Sequence, residues 1–474
     1  MVRGKARTDG KKVAFMALMS PPPVDDWAVL DGLIEQQERL LVARVPRSAM
    51  LLERAAEVLA GGVTSSWQDA PPQAVWLSHG AGSHVFDVDG NEYVDLHAGF
   101  GAMLCGHGHP AIVEAVSHQV TRGTHFAQPT EVLIDVATEL RRRFALPKWR
   151  FCNSGTEATM EAIHLIRAVT GRSRIIKVEG SYHGHHDHTQ VSVYPEAGHT
   201  GPPWRPLTVR EHAGVPLEVA RLVSVVPFGD LDAVERVLLE YPDEVAGMII
   251  EPIMMNIGII TPESGYFVGL KELLHRYGAY LIFDEVKTGL AVSPGGATEL
   301  FGEVPDIVCL AKALGGGLPC GAIGGTDELF DRIADGTYDQ VGTFNGNPLT
   351  MAASRAMLFE VLTDDAYRHF DRLRSIMVTG ATAILDRYEL PGYVRAFGAK
   401  GCIVFHDEEL HNYRDFLAYD GRFGHANWLF QHNGGVFLPP WGKMEQWTLS
   451  VQHTDADAER FVHNFERFAA AITT

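Results

Sequence analysis

Val308-Cys309-Leu310-Ala311-Lys312-Ala313-Leu314-Gly315-Gly316-Gly317 sets one lysine between an apolar run and three glycines. The short apolar run reads as a buried strand, and Lys312 stands where it ends. An apolar setting disfavours an ammonium ion, so an amine held there is the better nucleophile and can form a Schiff base with a carbonyl compound. The glycines let the backbone pass close to a flat bound group. A solvated lysine before a turn is the competing reading, and the apolar flank speaks against it.

Outward from this run the same grammar repeats. From about Pro110, helical segments alternate with short apolar runs at 174–178, 247–251, 280–284, 306–310 and 321–324. Such alternation predicts an α/β fold with a mainly parallel sheet and functional residues at the carboxyl ends of its strands. Upstream, residues 26–44 carry Trp27, Leu30, Ile34, Leu40 and Leu41 at helical spacing, and 47–60 reads as a second helix stopped by Gly61-Gly62. The runs 84–87 and 92–96 meet at Asp89-Gly90 as a hairpin. After about Pro348 a long helix begins, and the remainder is a smaller α+β unit closed by an amphipathic helix over 455–472. The expected organisation is a loose leader, 1–25; an N-terminal segment, 26–104, belonging to the small domain; a large domain, 105–347; and a C-terminal small domain, 348–474.

Composition excludes several classes. The chain of 474 residues carries 40 basic and 59 acidic side chains, a net charge of -19. That balance argues against nucleic acid as the main partner, because phosphate contacts need clustered Lys and Arg. No apolar run approaches the roughly 20 residues of a membrane helix. The cysteines (Cys105, Cys152, Cys309, Cys320 and Cys402) are scattered without CxxC spacing, and read as buried thiols of a reducing cytoplasm. Lys11-Lys12 precede an apolar run at 13–19, but Ser20 and three prolines follow where a signal peptide needs a cleavage site. A loose leader is expected, with Met19 an alternative start. His183, His185, His186 and His188 are crowded enough to hold a metal, yet only Asp187 accompanies them, and no metal is expected.

Three further segments carry chemistry. Asn153-Ser154-Gly155-Thr156-Glu157-Ala158 enters a helix; it offers backbone N–H groups and two hydroxyls to a phosphate, or serves as an ordinary N-cap. Leu281-Ile282-Phe283-Asp284-Glu285-Val286 delivers two carboxylates at a strand end, where a protonated pyridine nitrogen or a metal would be held. Val341-Gly342-Thr343-Phe344-Asn345-Gly346-Asn347-Pro348 is a polar loop.

In this order and spacing the four segments resemble the class III aminotransferases of the type I pyridoxal-phosphate fold, on a branch similar to glutamate-1-semialdehyde aminomutase and its amine-transaminase relatives. The resemblance runs from about residue 50 to the C-terminus. It implies a large domain with a mostly parallel sheet, a smaller α+β domain and pyridoxal 5'-phosphate as cofactor. Lys312 matches the lysine that forms the Schiff base, and Asp284 the carboxylate on the pyridine nitrogen. Val286 and Tyr182, with His183 beside it, match the residues on the two ring faces. Ser154, Gly155 and Thr156 match the phosphate cradle, and Asn256 a polar group near the ring hydroxyl. Thr343 matches a residue that reaches the neighbouring subunit's phosphate, which implies a homodimer with shared sites.

The activity implied is a ping-pong transaminase that moves an amino group from an amine or ω-amino acid to a 2-oxo acid. An aminomutase, or a pyridoxal-phosphate-dependent epimerase, is the alternative. The freed amine of Lys312 would act as base and acid in turn. One departure bears on this choice. The aminomutase branch ends its Gly-Gly-Val motif in a carboxylate-binding arginine, whereas here Gly61-Gly62-Val63-Thr64-Ser65-Ser66-Trp67-Gln68 ends in an amide, which cannot replace a guanidinium. Glu445 matches a glutamate of that branch. Trp67, Phe100 and Trp441 are expected as pocket walls or else as core, and Lys287 as a solvated side chain or one that reaches an anionic substrate.

Overall fold

The computed structural model describes residues 27–440 and 447–473. Its strands in chain order are β1 (Leu77–Ala81), β2 (His84–Asp87), β3 (Glu92–Asp95), β4 (Lys148–Cys152), β5 (Arg174–Val178), β6 (Val223–Val226), β7 (Val245–Ile250), β8 (Tyr280–Asp284), β9 (Ile307–Ala311), β10 (Gly321–Gly325), β11 (Tyr393–Phe397), β12 (Lys400–Val404), β13 (Val436–Phe437) and β14 (Trp447–Thr448).

Strands β4 to β10 make one sheet in the order β4-β10-β9-β8-β7-β5-β6. Its pairings are parallel from β6 through β9, while β10 runs antiparallel to both β9 and β4. Strands β5, β7, β9 and β10 are buried along their whole length, as sheets covered by helices on both faces require. The helix Gly155–Thr170 covers one face; its Ala158, Ala162, Leu165 and Ile166 point into the core. In the β8–β9 register Asp284 lies opposite Cys309. The carboxylate and, just past the end of β9, Lys312 therefore emerge at the same carboxyl edge.

Chain ends meet in a second sheet, β1-β2-β3-β13, where Val436 pairs with Val94 in parallel. A third sheet, β11-β12-β14, is antiparallel. The helices Asp364–Arg387 and Asp455–Thr473 pack together nearby. The helix expected over 47–60 runs only from Pro46 to Ala55, and the chain then turns through Gly61 and Gly62, both left-handed (φ +73° and +76°). After Pro348 the expected long helix is two, Pro348–Ala356 and Asp364–Arg387, with a π-turn at Met357–Val361 between them. All five cysteines are buried, none of them in a disulfide among the described residues, and no described helix is long and apolar enough to cross a membrane.

Candidate active site

The carboxyl edge of the sheet opens on a cavity of about 370 Å³. Asp284 reaches it from the last position of β8, and Lys312, Val286 and Asn256 from the loops after β9, β8 and β7. Ser154, Gly155 and Thr156 reach it from the helix start after β4, and Tyr182 and His183 from the loop after β5. Trp67 and Phe100 close it from the N-terminal segment.

Each group is held by local structure. Lys312 takes a left-handed backbone (φ +47°), which costs a side-chain-bearing residue about 1–2 kcal/mol, and turns the chain from β9 into the short helical turn Lys312–Gly315. Asp284 Oδ1 accepts from the Val286 backbone N–H at 3.0 Å, and Oδ2 meets His183 Nδ1 at 2.8 Å. A carboxylate only accepts, so Nδ1 carries the proton. Burial lowers the affinity of the His183 ring for a second proton, against the pull of Asp284. Its Nε2 has no hydrogen-bond partner among the described residues. Ser154 caps the helix Gly155–Thr170, its Oγ accepting from Glu157 N at 3.1 Å. Thr156 Oγ1 accepts from His185 N at 3.1 Å. Both hydroxyls thus keep their own protons to donate, so the N-cap and an anion cradle coexist.

The floor of the cavity is narrow. A methyl placed on Gly155 would stand 2.8 Å from Val286 Cγ1 and 2.9 Å from Cγ2. The Trp67 ring lies 5.0 Å from Tyr182 and 5.4 Å from Phe100, tilted on both. Phe100 is carried on a left-handed turn, Ala98 to Gly101, in which all four residues have positive φ. Thr343 is exposed and lies elsewhere, in an open depression of about 650 Å³ that it shares with Asn345; the loop is tied to the Lys312 cavity by Asn153 Nδ2 donating to Asn345 Oδ1 at 3.0 Å. Gln68 is not among the described residues that line the Lys312 cavity; its Oε1 accepts from Thr64 N and Oγ1. Trp441 and Glu445 lie outside the described residues.

Two cavity groups carry weight that the sequence reading did not give them. Glu251 is buried, and its carboxylate accepts from the backbone N–H of Tyr182 at 2.9 Å. Burial, followed by the nearby Asp284, pushes its carboxyl up to about 7. The available signal was the one used for Asp284, an apolar strand that delivers an acid at its end. Lys287 Nζ donates to Asn256 Oδ1 at 2.8 Å rather than standing in solvent. In the histidine cluster, His186 meets Thr159 Oγ1 and His188 meets Arg167 Nη1; no three metal-ligating side chains are arranged around an ion among the described residues.

Residues 65–465 match the model of the aminotransferase class-III family. The chain belongs to the class-III aminotransferases. Among its relatives, glutamate-1-semialdehyde 2,1-aminomutase 1 of Staphylococcus carnosus is 35% identical over 432 residues, covering 90% of this chain and 99% of the relative. The aminomutase of Methanocaldococcus jannaschii is 38% identical over 429 residues, 90% and 98% of the two chains. Among solved structures, an omega-transaminase from Sphaerobacter thermophilus superposes with a TM-score of 0.85 at 33% identity, covering 90% and 98%. A glutamate-1-semialdehyde aminomutase from Pseudomonas aeruginosa, in complex with PMP, gives 0.86 at 29%, covering 94% and 99%.

This class-III aminotransferase is therefore a pyridoxal-phosphate enzyme with the type I fold. The cavity fits that group. It has the volume of a small-ligand site, an amine on one side, a carboxylate backed by an imidazole on another, and hydroxyl protons at a helix N-terminus for a phosphate.

Proposed function

We propose that this class-III aminotransferase moves an amino group within one substrate, as an aminomutase of the glutamate-1-semialdehyde type. Amino-group chemistry rests on one observation: Lys312 and Asp284 open into the same cavity, beside Val286 and Tyr182. The relatives named as aminomutases, which span nine-tenths of the chain, support the intramolecular form over transfer between two substrates.

When bound, pyridoxal phosphate supplies an aldehyde and an electron-accepting ring. Lys312 Nζ would be the amine that holds that aldehyde, and when freed it would serve as the base and acid that moves the substrate's proton. Asp284 would hold the ring nitrogen, with His183 steadying Asp284. The Ser154 and Thr156 hydroxyls and the Gly155 backbone would hold the phosphate, Val286 and Tyr182 would flank the ring, and Asn256 would meet the ring oxygen. Trp67 and Phe100 shield the reacting carbon from water. The enzyme works as a cytoplasmic homodimer, each site completed by Thr343 of the partner subunit; exposed Val341 and Phe344 beside Thr343 support a contact there. Residues 105–347 form the coenzyme domain and 26–104 with 348–474 the smaller one, as the β3–β13 pairing supports.

Transamination from an amine or ω-amino acid to a 2-oxo acid is the second reading. It is favoured by Gln68, whose amide is tied to Thr64 where a carboxylate-binding arginine would be needed, and by the aromatic wall at Trp67. The deciding experiment supplies glutamate 1-semialdehyde alone to the enzyme loaded with pyridoxal phosphate. The first reading requires the isomer with the amine moved from C2 to C1, with no acceptor added. A transaminase converts amine donors only as far as one equivalent of loaded coenzyme until a 2-oxo acid is supplied. If the loaded enzyme does neither with any amine, both readings fail.

A further inference from the structure

Lys287 and Asn256 come from adjacent strand ends, after β8 and β7, and meet in the coenzyme cavity with Nζ 2.8 Å from Oδ1. An ammonium only donates, so it can hold only the oxygen of the amide. The NH₂ end of Asn256 is thereby turned away from Lys287. Asn256 is 2% exposed, in a loop closed by Met254 N donating to Ile260 O at 2.9 Å, with Ile257 and Ile259 buried on the same loop, so its side chain is held at this edge and the Lys287 contact sets which end of the amide faces which way. Lys287 therefore does two things at one edge of the cavity. It fixes a hydrogen-bond donor there, and it brings a positive charge to a region where Asp284 and Glu251 supply carboxylates.

We propose that Lys287 is a positioning residue for the coenzyme: it locks Asn256 with its NH₂ toward the ring oxygen and lends that oxygen a neighbouring cation. The inference rests on the pyridoxal-phosphate site described above and adds to it a residue with no assigned role. A cation beside the ring oxygen favours the ring's deprotonated state, so the bound coenzyme changes protonation at a lower pH than it would without Lys287. The titratable and charged groups lining this cavity among the described residues are Glu251 after β7, Tyr182 and His183 after β5, Asp284 at the end of β8 and Lys287 after it, Lys312 after β9, and Cys320 before β10.

The test uses the full chain loaded with pyridoxal phosphate and follows the visible absorbance of the bound coenzyme against pH, with no substrate present. Lys287→Met removes charge and donor at similar length, and its midpoint should rise by about one unit or more. Lys287→Arg keeps the charge, and its midpoint should stay within a few tenths of a unit of wild type. The same rise on adding Lys287→Met to a Glu251→Gln background would show that Glu251 is not the titrating group. An unchanged midpoint in Lys287→Met with coenzyme bound overturns the inference. So does a change confined to KM for anionic substrates, which would give Lys287 to the substrate instead. If the wild-type chain takes up no coenzyme and shows no such absorbance, it is the pyridoxal-phosphate site that fails, a separate outcome from an unmoved midpoint.

Discussion

At the residue scale, the His183–Asp284 pair is the most exacting feature. The imidazole is fully buried, kept neutral by its surroundings, and spends its Nδ1–H on a carboxylate that is itself only 5% exposed. A hydrogen bond to a charged group contributes about 1.5–3 kcal/mol. His183→Phe should therefore lower coenzyme affinity about 10- to 100-fold without unfolding the chain, as read by fluorescence titration; undiminished affinity would remove His183 from the site. Glu251 gives a prediction with a definite sign. Its carboxyl is raised from 4.5 to about 7, so between those values the folded state binds more protons than the unfolded one. Stability then falls as pH rises through that window, by on the order of 3 kcal/mol, and is fully present only below it. Urea midpoints at about pH 5 and about pH 8 should differ accordingly in the wild type, while Glu251→Gln should flatten the difference. An equal slope in both proteins would place the titration elsewhere.

At the scale of elements, the site depends on how closely a helix start approaches a strand end. Gly155 opens the helix Gly155–Thr170 directly beneath the Val286 methyls. Gly155→Ala should push Val286 into the ring slot; overpacking of this kind costs about 1–3 kcal/mol, seen as roughly tenfold or greater loss of coenzyme affinity. Adding Val286→Ala should recover part of it, and a double variant no better than the single would place the clash elsewhere. The sequence was readable here because β7, β8 and β9 are nearly continuous apolar runs with turns on either side, while β5 is apolar apart from Arg174 and Lys177 and β10 is made of small apolar residues around Ile323. The two strands of this sheet that escaped that reading, β4 and β6, are its edges. β4 is half exposed with charges at Lys148 and Arg150, and β6 is four residues broken by Ser224, so neither shows the long apolar run of a central strand. The antiparallel sense of β10 was legible in principle. The link Lys312–Cys320 is shorter than the dozen or more residues a parallel crossover needs, which forces the chain to return beside β9. Lys287 illustrates the opposite limit. No spacing rule tells that a lysine after a strand end will fold back onto an asparagine about thirty residues earlier, because that contact exists only once β7 and β8 pair.

At the scale of the whole molecule, Thr343 is where the proposed sharing of sites between two chains can be tested. It lies in an open depression away from the Lys312 cavity, on an exposed loop with Val341 and Phe344. A polar residue shown to solvent between two large apolar ones suits a surface meant to be covered by a second copy. Crossed hybrids test this without an interface structure. Lys312→Ala alone should lose turnover by about 10⁴-fold or more, since it removes both the capturing amine and the proton carrier. Thr343→Ala alone should weaken coenzyme binding by about tenfold. In a hybrid dimer with one subunit of each kind, purified through two different tags, shared sites predict one doubly damaged site and one intact site. At coenzyme concentrations that leave the Thr343→Ala homodimer mostly unloaded, such a hybrid should regain about half of the wild-type rate. If Thr343 instead serves its own chain, neither site of the hybrid is intact, and its rate should be no greater than half that of the Thr343→Ala homodimer.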